Sequence, residues 1–514
     1  VGQQKTVFLQ SPEGGLQRRV GFQEQPPFYT AASLNVRPRD FAGRRRPGNR
    51  PGLGKAFAQL LGGGNPVRLL HNVKYVTGDT RTLRVVASAG GLLYRGPLGG
   101  TLTQVPGAQT LASDRLVQAA YHLGKLWIAD WTDAPAGRTP KVYDPVANTL
   151  SVWTATSGTV PTGCPLIARY RDRIVLAGAS DNPQQWFMSK QGDARNWDYT
   201  ETGPGRAVSG LNSEAGNFGE PVTALIPHSD ECMLMAGLSS LWIMRGDPAQ
   251  GGHIDNVSQR VGPIQARAWC YTPEDDAAVV FLGHDGVYAV AAGCSGGPPV
   301  PISRQLLPEE LLNVDPAANT ILLGYDLRYQ GIRISITPNN GTAGRHWWLD
   351  WGGRKGFWEE SYPVGQQPTA MFEVEDGTSD YSLLLVGCRD GVVRRHQHNL
   401  SADDGTNFSS FFDYGPLQLN AHDTGMLRRL DCQLTAGSGA VTSAARVGET
   451  AEDAFNQSSA FKKSTKTLAA GLNASWYAML GDHAAYLRMT GAAGVKWSVE
   501  SVRVTLDDSG RRRV

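Results

Sequence analysis

At 514 residues, 41% apolar and 19% charged, the chain is longer than a single average domain of roughly 100–200 residues and too apolar for wholesale disorder. Its 61 glycines exceed the usual ~7% share, and with 30 Pro and 13 Trp they point to many short strands joined by turns rather than to helices. The net charge of +2 hides an asymmetry: residues 1–65 hold ten Lys or Arg against three acids, so a segment of +7 precedes a body of −5.

Residues 1–65 show little hydrophobic period. Pro26-Pro27 and the run from Gly43 through Arg44-Arg45-Arg46-Pro47-Gly48 to Arg50-Pro51-Gly52 forbid a helix and favour extended or turn backbone. A short helix is expected at about 54–61, ended by Gly62-Gly63-Gly64. Such a segment cannot build its own core. It reads as an extended basic arm whose Arg37, Arg39, Arg44, Arg45, Arg46 and Arg50 dock on an acidic partner surface, a neighbouring subunit rather than DNA.

From 66 to 400 one unit recurs: a polar turn, a glycine, then a strand with an aromatic residue. Gly90-Gly91-Leu92-Leu93-Tyr94, Leu123-Gly124-Lys125-Leu126-Trp127 and His284-Asp285-Gly286-Val287-Tyr288 are clear forms. Arg171-Asp172-Arg173-Ile174, Ser239-Ser240-Leu241-Trp242 and Arg389-Asp390-Gly391-Val392 are further ones. Turn pairs of this kind supply the positive φ of tight hairpins. Units of ~40–50 residues with about four strands each are the signature of propeller blades. Seven are expected, near 66–105, 115–155, 164–205, 220–250, 264–300, 320–362 and 365–398. A pair of β-sandwiches is the structural rival. Residues 401–514 alternate strand-like runs with Gly-rich turns and read as a C-terminal β-sandwich. The fold class is therefore all-β: an extended arm over 1–65, a propeller over 66–400 and a sandwich over 401–514.

Motifs for chemistry are few. There is no phosphate loop, no HExxH and no dinucleotide fingerprint. Gly293-Cys294-Ser295-Gly296-Gly297 matches a nucleophile elbow formally, but Pro298 and Pro299 forbid the helix that must follow the serine. His396 and His398 alternate along a strand without a third ligand nearby. The acid pairs Glu309-Glu310 and Glu359-Glu360 are sequence neighbours, which usually face different ways. Gly192 to Trp197 approaches a sialidase-type turn but lacks its second glycine and does not recur. Trp127, Trp242 and Tyr288 read as packing residues rather than sugar platforms. No catalytic residue, metal or cofactor is expected.

Six cysteines, at 164, 232, 270, 294, 388 and 432, show neither CxxC nor zinc spacing and read as small buried hydrophobes of a reducing compartment, without a disulfide framework. The first residues lack the apolar stretch of a signal peptide, and the longest apolar runs are strand length, so no stable membrane insertion is expected.

Three pieces in order along the chain carry a resemblance: Leu34-Asn35-Val36 through Arg50-Pro51-Gly52-Leu53; Asp181-Asn182-Pro183-Gln184-Gln185-Trp186 through Asp198; and Trp497-Ser498-Val499-Glu500-Ser501-Val502 ahead of Gly510-Arg511-Arg512. Together they resemble the tail nozzle or hub proteins of short-tailed bacteriophages, including the packaged-DNA-stabilising type. The resemblance implies a structural virion protein, not an enzyme. It implies a ring of copies, usually six, beside adaptor and portal-side proteins and tail fibres or spikes, with genomic DNA passing through the lumen. It also implies assembly in the bacterial cytoplasm. Two other readings compete: a propeller that binds a host-surface glycan or receptor, and a polysaccharide-degrading propeller enzyme.

Overall fold

The computed structural model describes residues 4–131, 139–272, 277–291, 293–375, 382–420, 424–471 and 473–507. The Gly510-Arg511-Arg512 ending lies outside them.

Hairpin turns organise the body. Gly90 and Gly91, Leu123 and Gly124, and Arg171 and Asp172 all have positive φ, and each pair forms the two-residue loop of a hairpin. Two successive left-handed residues twist the chain in the same sense as the strands they join, which makes the register tight. Antiparallel four-stranded sheets follow in chain order. Sheet I runs Val67–Thr77, Thr80–Ala89, Leu92–Gly96 and Thr103–Gln104. Sheet II is Gln118–His122, Lys125–Ala129, Lys141–Asp144 and Thr149–Val152. Sheet III is Leu166–Tyr170, Arg173–Ala179, Asn182–Met188 and Val208–Ser209. Sheet IV is Val222–Pro227, Cys232–Gly237, Leu241–Arg245 and His253–Ser258. Sheet V is Trp269–Tyr271, Ala278–Gly283, Gly286–Ala291 and Val300–Pro301. Sheet VI is Asn319–Asp326, Gly331–Pro338, Arg345–Leu349 and Phe357–Glu360. Sheet VII is Pro368–Glu375, Ser382–Cys388 and Val393–Gln397, with Gly52–Lys55 as its outer strand.

Each sheet shares an apolar layer with the next. Ile128 of sheet II packs with Val86 of sheet I, and Leu176 of sheet III with Trp127 of sheet II. The layers continue through Met233, Phe281, Ile321 and Leu384, and Leu385 of sheet VII meets Val85 of sheet I. First strands touch first strands at most joints, including that of sheet VII against that of sheet I, and sheets IV and V meet through Ile226 and Phe281, so the series closes on itself. A cavity of about 520 Å³ is lined by residues at or just before the starts of five first strands, among them Gln118, Leu166, Val222 and Asn319. Another of about 450 Å³ lies among the far ends, at Lys74, Tyr121 and Glu375. The first strands therefore run side by side along one axis, and the fold is all-β and β-propeller-like.

The C-terminal part holds two more antiparallel sheets. One is ordered Gln4–Leu9, Val499–Asp507, Gly425–Leu434, Asn473–Asp482; the other Ser33–Leu34, Ser410–Gln418, Ala484–Gly491, Val441–Gly448, Lys463–Leu468. They enclose one core around Phe412, Leu430, Leu487 and Trp497, and Trp348 and Trp358 of sheet VI belong to the same cluster. No helix among the described residues is long and apolar enough to cross a membrane.

Three expectations are corrected. Residues 1–65 are extended, but they are not a detached arm: their strands join both C-terminal sheets and complete sheet VII. An unpaired sheet edge satisfies the backbone of a segment that has no core of its own. The same pairing replaces the helix expected at 54–61, where Gly54 lies opposite Arg395 and only a 3₁₀ turn, Leu61–Gly63, follows. Finally, Cys232 is disulfide-bonded to Cys294, 62 residues away, while Cys164, Cys270, Cys388 and Cys432 are free and buried. The pair links sheet IV to the loop after the third strand of sheet V, and spacing alone does not reveal a contact made by packing.

The disulfide gives a direct prediction. Denatured without reductant, the chain will alkylate at four of its six cysteines, and at all six after reduction. Closing a loop of this length is worth up to about 4 kcal/mol. The Cys232→Ala, Cys294→Ala double variant will unfold at correspondingly lower denaturant concentration.

Candidate functional site

The arginine-rich segment lies at the junction of sheets VI and VII with the C-terminal sheets. Val36–Arg39 and Arg45–Asn49 form a hairpin of their own. Its turn is set by Asp40, whose Oδ1 accepts from the backbone of Ala42 and Arg44, and by Gly43 at φ +80°. Asn49 holds the hairpin to the C-terminal unit through reciprocal bonds with Trp497. Gly48 is required there, because a Cβ would stand 2.4 Å from the Trp497 carbonyl oxygen.

The six arginines part company at this junction. Arg50 is fully buried and grips Asp403 with both Nη atoms, at 2.8 and 2.6 Å. Its Nε donates to Asn35, and its plane lies 3.9 Å from the Phe408 ring centre and 4.5 Å from that of Tyr362. Burial opposes its charge, but Asp403 and its other acidic neighbours more than compensate and raise its pKa. Arg37 donates to Glu360 at 2.7 Å and stacks 3.7 Å from the Trp348 ring centre. Arg46 pairs with Asp40 and Glu500. Arg39 donates to Gln330, and Arg45 to the Gly352 carbonyl. Arg44 is exposed. The expectation that all six face a neighbouring subunit is therefore corrected for Arg37, Arg46 and Arg50, whose charges are matched within the chain.

Sequence reasoning missed the partners. Arg333, on sheet VI, is fully buried, and none of its guanidinium nitrogens has a hydrogen-bond partner. Burial opposes the Glu360 charge, but Arg37, Arg50 and Arg333 outweigh it and hold the carboxyl at about 2, with the Tyr362 hydroxyl donating to it. His346 bonds Ser335 through Nδ1, and burial, aided by Arg333, Arg50 and Arg389, pushes it down to about 3. His396 donates from Nδ1 to the Pro51 carbonyl, which leaves Nε2 to accept from Arg37. Nothing in the local sequence around Asp403, Arg333 or His346 marks them, since each partner lies on a different sheet or loop.

The other sequence candidates lie apart. His398 stands beyond the strand that holds His396 and accepts from Arg328 at 2.6 Å. Among the described residues no group of three or more His, Cys, Asp or Glu could hold a metal. Ser295 is exposed in a turn beside the disulfide. Glu359 and Glu310 both pair with Arg18, while Glu360 turns to Arg37, as expected of sequence neighbours on a strand. Trp127 and Tyr288 are buried and Trp242 partly so. Trp197 is buried and bonds Ala194, so the Gly192–Trp197 turn is closed on itself. The chemistry at this junction is charge neutralisation in closed pairs. An open space remains beside them, a cavity of about 390 Å³ bordered by the hairpin, by Arg328 to Asp350 of sheet VI and by Lys496.

The class defined by these sheets is a β-propeller-like all-β protein. No protein-family model matches the sequence, and no curated protein matches it. Among solved structures, the chain is similar to a quinonprotein alcohol dehydrogenase-like protein from Bacteroides thetaiotaomicron at 7% identity and a TM-score of 0.33, over 56% of this chain and 66%, just under two thirds, of that one. It is similar to an exo-β-1,3-galactanase from Phanerochaete chrysosporium at 10% identity and a TM-score of 0.24, over 69% and 98% of the two chains. A third similar structure is BBS1N in complex with ARL6DN, at 12% identity and a TM-score of 0.36, over 70% and 98%. Superpositions this loose carry no argument about activity, and the fold rests on the chain's own sheets.

Two outcomes follow. Asp403→Asn leaves a buried guanidinium without its counter-ion and will cost ~3–5 kcal/mol in chemical denaturation, whereas Arg44→Ala, on the surface, will shift stability by no more than ~0.5 kcal/mol. The second concerns acid. His346 stays neutral in the folded chain down to about 3, but its unfolded form protonates near its usual ~6.5. The unfolded state therefore takes up the extra proton as pH falls below ~6.5, and stability drops by up to ~1.4 kcal/mol per pH unit from this one group. His346→Asn will flatten that part of the urea-midpoint profile between pH 6.5 and 4.

Proposed function

We propose that this protein is a structural component of a bacteriophage tail, a subunit of the nozzle or hub ring through which DNA is retained and then ejected. In this reading the seven sheets are the blades of one propeller, closed by the strand Gly52–Lys55, and the two C-terminal sheets are a sandwich fixed to it. One observation carries the proposal. The N-terminal segment runs through both units and is held by buried ion pairs on each side, Arg50–Asp403 and Arg37–Glu360. A subunit that bears the pressure of packaged DNA needs its parts locked rather than hinged, and this segment does the locking.

The sequence resemblance supplies the expected partners: further copies of the chain in a ring, adaptor and portal-side proteins, and fibres or spikes. Arg44 and Arg45 are the arm arginines exposed on the surface for such contacts, although Arg45 also holds Glu13 and the Gly352 carbonyl within the chain.

The reading is tested by mass photometry and electron microscopy of the purified full chain, alone and with its portal-side neighbours. Rings of uniform copy number are expected, and Arg44→Ala with Arg45→Ala will lower ring yield while leaving the melting temperature within about 2 °C. A chain that stays monomeric under both conditions, or that turns over polysaccharide in a manner lost with one acidic residue, would overturn it.

A further inference from the structure

The C-terminal sheet ordered Gln4–Leu9, Val499–Asp507, Gly425–Leu434, Asn473–Asp482 ends in two strands that each pair on one side only. An edge of this kind presents a row of unpaired N–H and C=O groups, and chains that stay single blunt it with lysine, proline or a cover. The neighbouring edge of the other C-terminal sheet is blunted: Lys463–Leu468 carries Lys463 and Lys466, both exposed. Asn473–Asp482 is not. From 473 to 481 it has no charge and no proline. Its outward positions include Tyr477, 63% exposed, and Met479, 55% exposed. Phe461 is 96% exposed at the same edge, where its neighbour Lys462 pairs with Asp482 at the end of the strand. A bulge near Met479, at φ +51°, leaves 473–477 as the regular stretch, close in length to the six residues of Gln4–Leu9.

The opposite edge matches it. One cross-strand row runs Phe8, Arg503, Asp431, Ser475, and the next runs Thr6, Thr505, Arg429, Tyr477. Residues two apart on a strand share a face, so Phe8 and Tyr477 stand on one face of the sheet at its two ends. Phe8 is 56% exposed, with the Arg503 guanidinium 4.4 Å from its ring centre. Direction fits as well. The four strands alternate, so the two edge strands run opposite ways. A second copy turned about an axis along the strands keeps those directions, and its Gln4–Leu9 meets Asn473–Asp482 of the first antiparallel.

We propose that a second copy of this chain docks here by laying its Gln4–Leu9 strand along residues 473–477, so that the sheet runs on from copy to copy with Tyr477 beside the second copy's Phe8. Aromatic pairs across neighbouring strands stabilise a sheet, and this joint supplies one. The contact is heterologous: each copy gives one edge and receives the other, and repeated rotation closes a ring. A two-fold contact of Asn473–Asp482 with itself would leave Phe8 and its edge bare. The inference rests on the ring reading above and names its joint.

Mass photometry of the full chain, alone and with its portal-side neighbours, tests it with two edge-blunted variants, Phe8→Lys and Tyr477→Lys. Both positions are outward and exposed, and melting within about 2 °C of the unmodified chain checks the fold. The unmodified chain is expected to form rings and each variant by itself to stay single. Mixed one to one, the variants are expected to give particles of two chains and no larger, because each keeps the edge that the other has lost. Rings that persist in both variants would overturn this joint and leave the ring reading standing. A variant that pairs with itself would show a two-fold contact and overturn the joint too. An unmodified chain that forms no rings would overturn both readings. Hydrogen exchange gives a second measurement: backbone amides of Gln4–Leu9 and of 473–477 are expected to exchange at least about tenfold more slowly in rings than in the single variants. Equal rates would overturn the joint.

Discussion

The Arg50–Asp403 pair is the constraint on which the rest of the structure hangs. Both side chains are fully buried, so neither charge has water to fall back on. Taking two ions out of water costs several kcal/mol each, and only bidentate geometry with every remaining hydrogen satisfied offsets that. Here Asn35, the Pro51 and Ser361 carbonyls and two aromatic faces complete the shell around Arg50, while Asp403 also accepts from the backbone of Leu53. A slip of one residue in the N-terminal segment would strand both charges. The pair therefore fixes the register of Gly52–Lys55 on sheet VII.

That register has mechanical consequences. A series of sheets packed face to face in a circle is only as firm as its last joint, and here an N-terminal strand pairs with a strand 343 residues later in the chain, Leu53 opposite His396. The segment before it supplies strands to both C-terminal sheets. Trp348 and Trp358 extend the C-terminal core into sheet VI. Ring and C-terminal unit thus share backbone pairing, apolar core and buried charge, and separating them would break all three at once. A part that must hold its shape under load gains from such redundancy, which is the physical sense of the proposed tail role.

The same junction explains how one region carries both a lock and an open cavity. Arginine is always charged and presents five donors. Asp403, Asn35 and the Pro51 and Ser361 carbonyls take those of Arg50, and Glu360 and His396 take part of those of Arg37, whose Nη1 points away from Glu360 without a partner.

Much of the fold was legible in the sequence. Turn pairs such as Gly90-Gly91 and Leu123-Gly124 need positive φ whatever surrounds them, and they announced hairpins that the sheets contain. Each expected interval from 66 to 398 holds the first three strands of one sheet, because alternation and turn chemistry are local properties, but the fourth strands Val208–Ser209, His253–Ser258 and Gly52–Lys55 fall outside the expected bounds. The density of Pro and Gly in residues 1–65 correctly forbade a long helix. Pairing across hundreds of residues was not legible. Residues 1–65 looked like an arm because the strands they pair with, from Phe357 to Asp507, are remote in sequence. Cys232 and Cys294 looked like isolated thiols for the same reason. Local sequence determined the turns, the strands and the all-β class, since backbone sterics and alternation act over a few residues. Only the tertiary structure decided which charges were buried, which edge the N-terminal strands took and where a cavity was left, since those outcomes depend on which distant surfaces exclude water together.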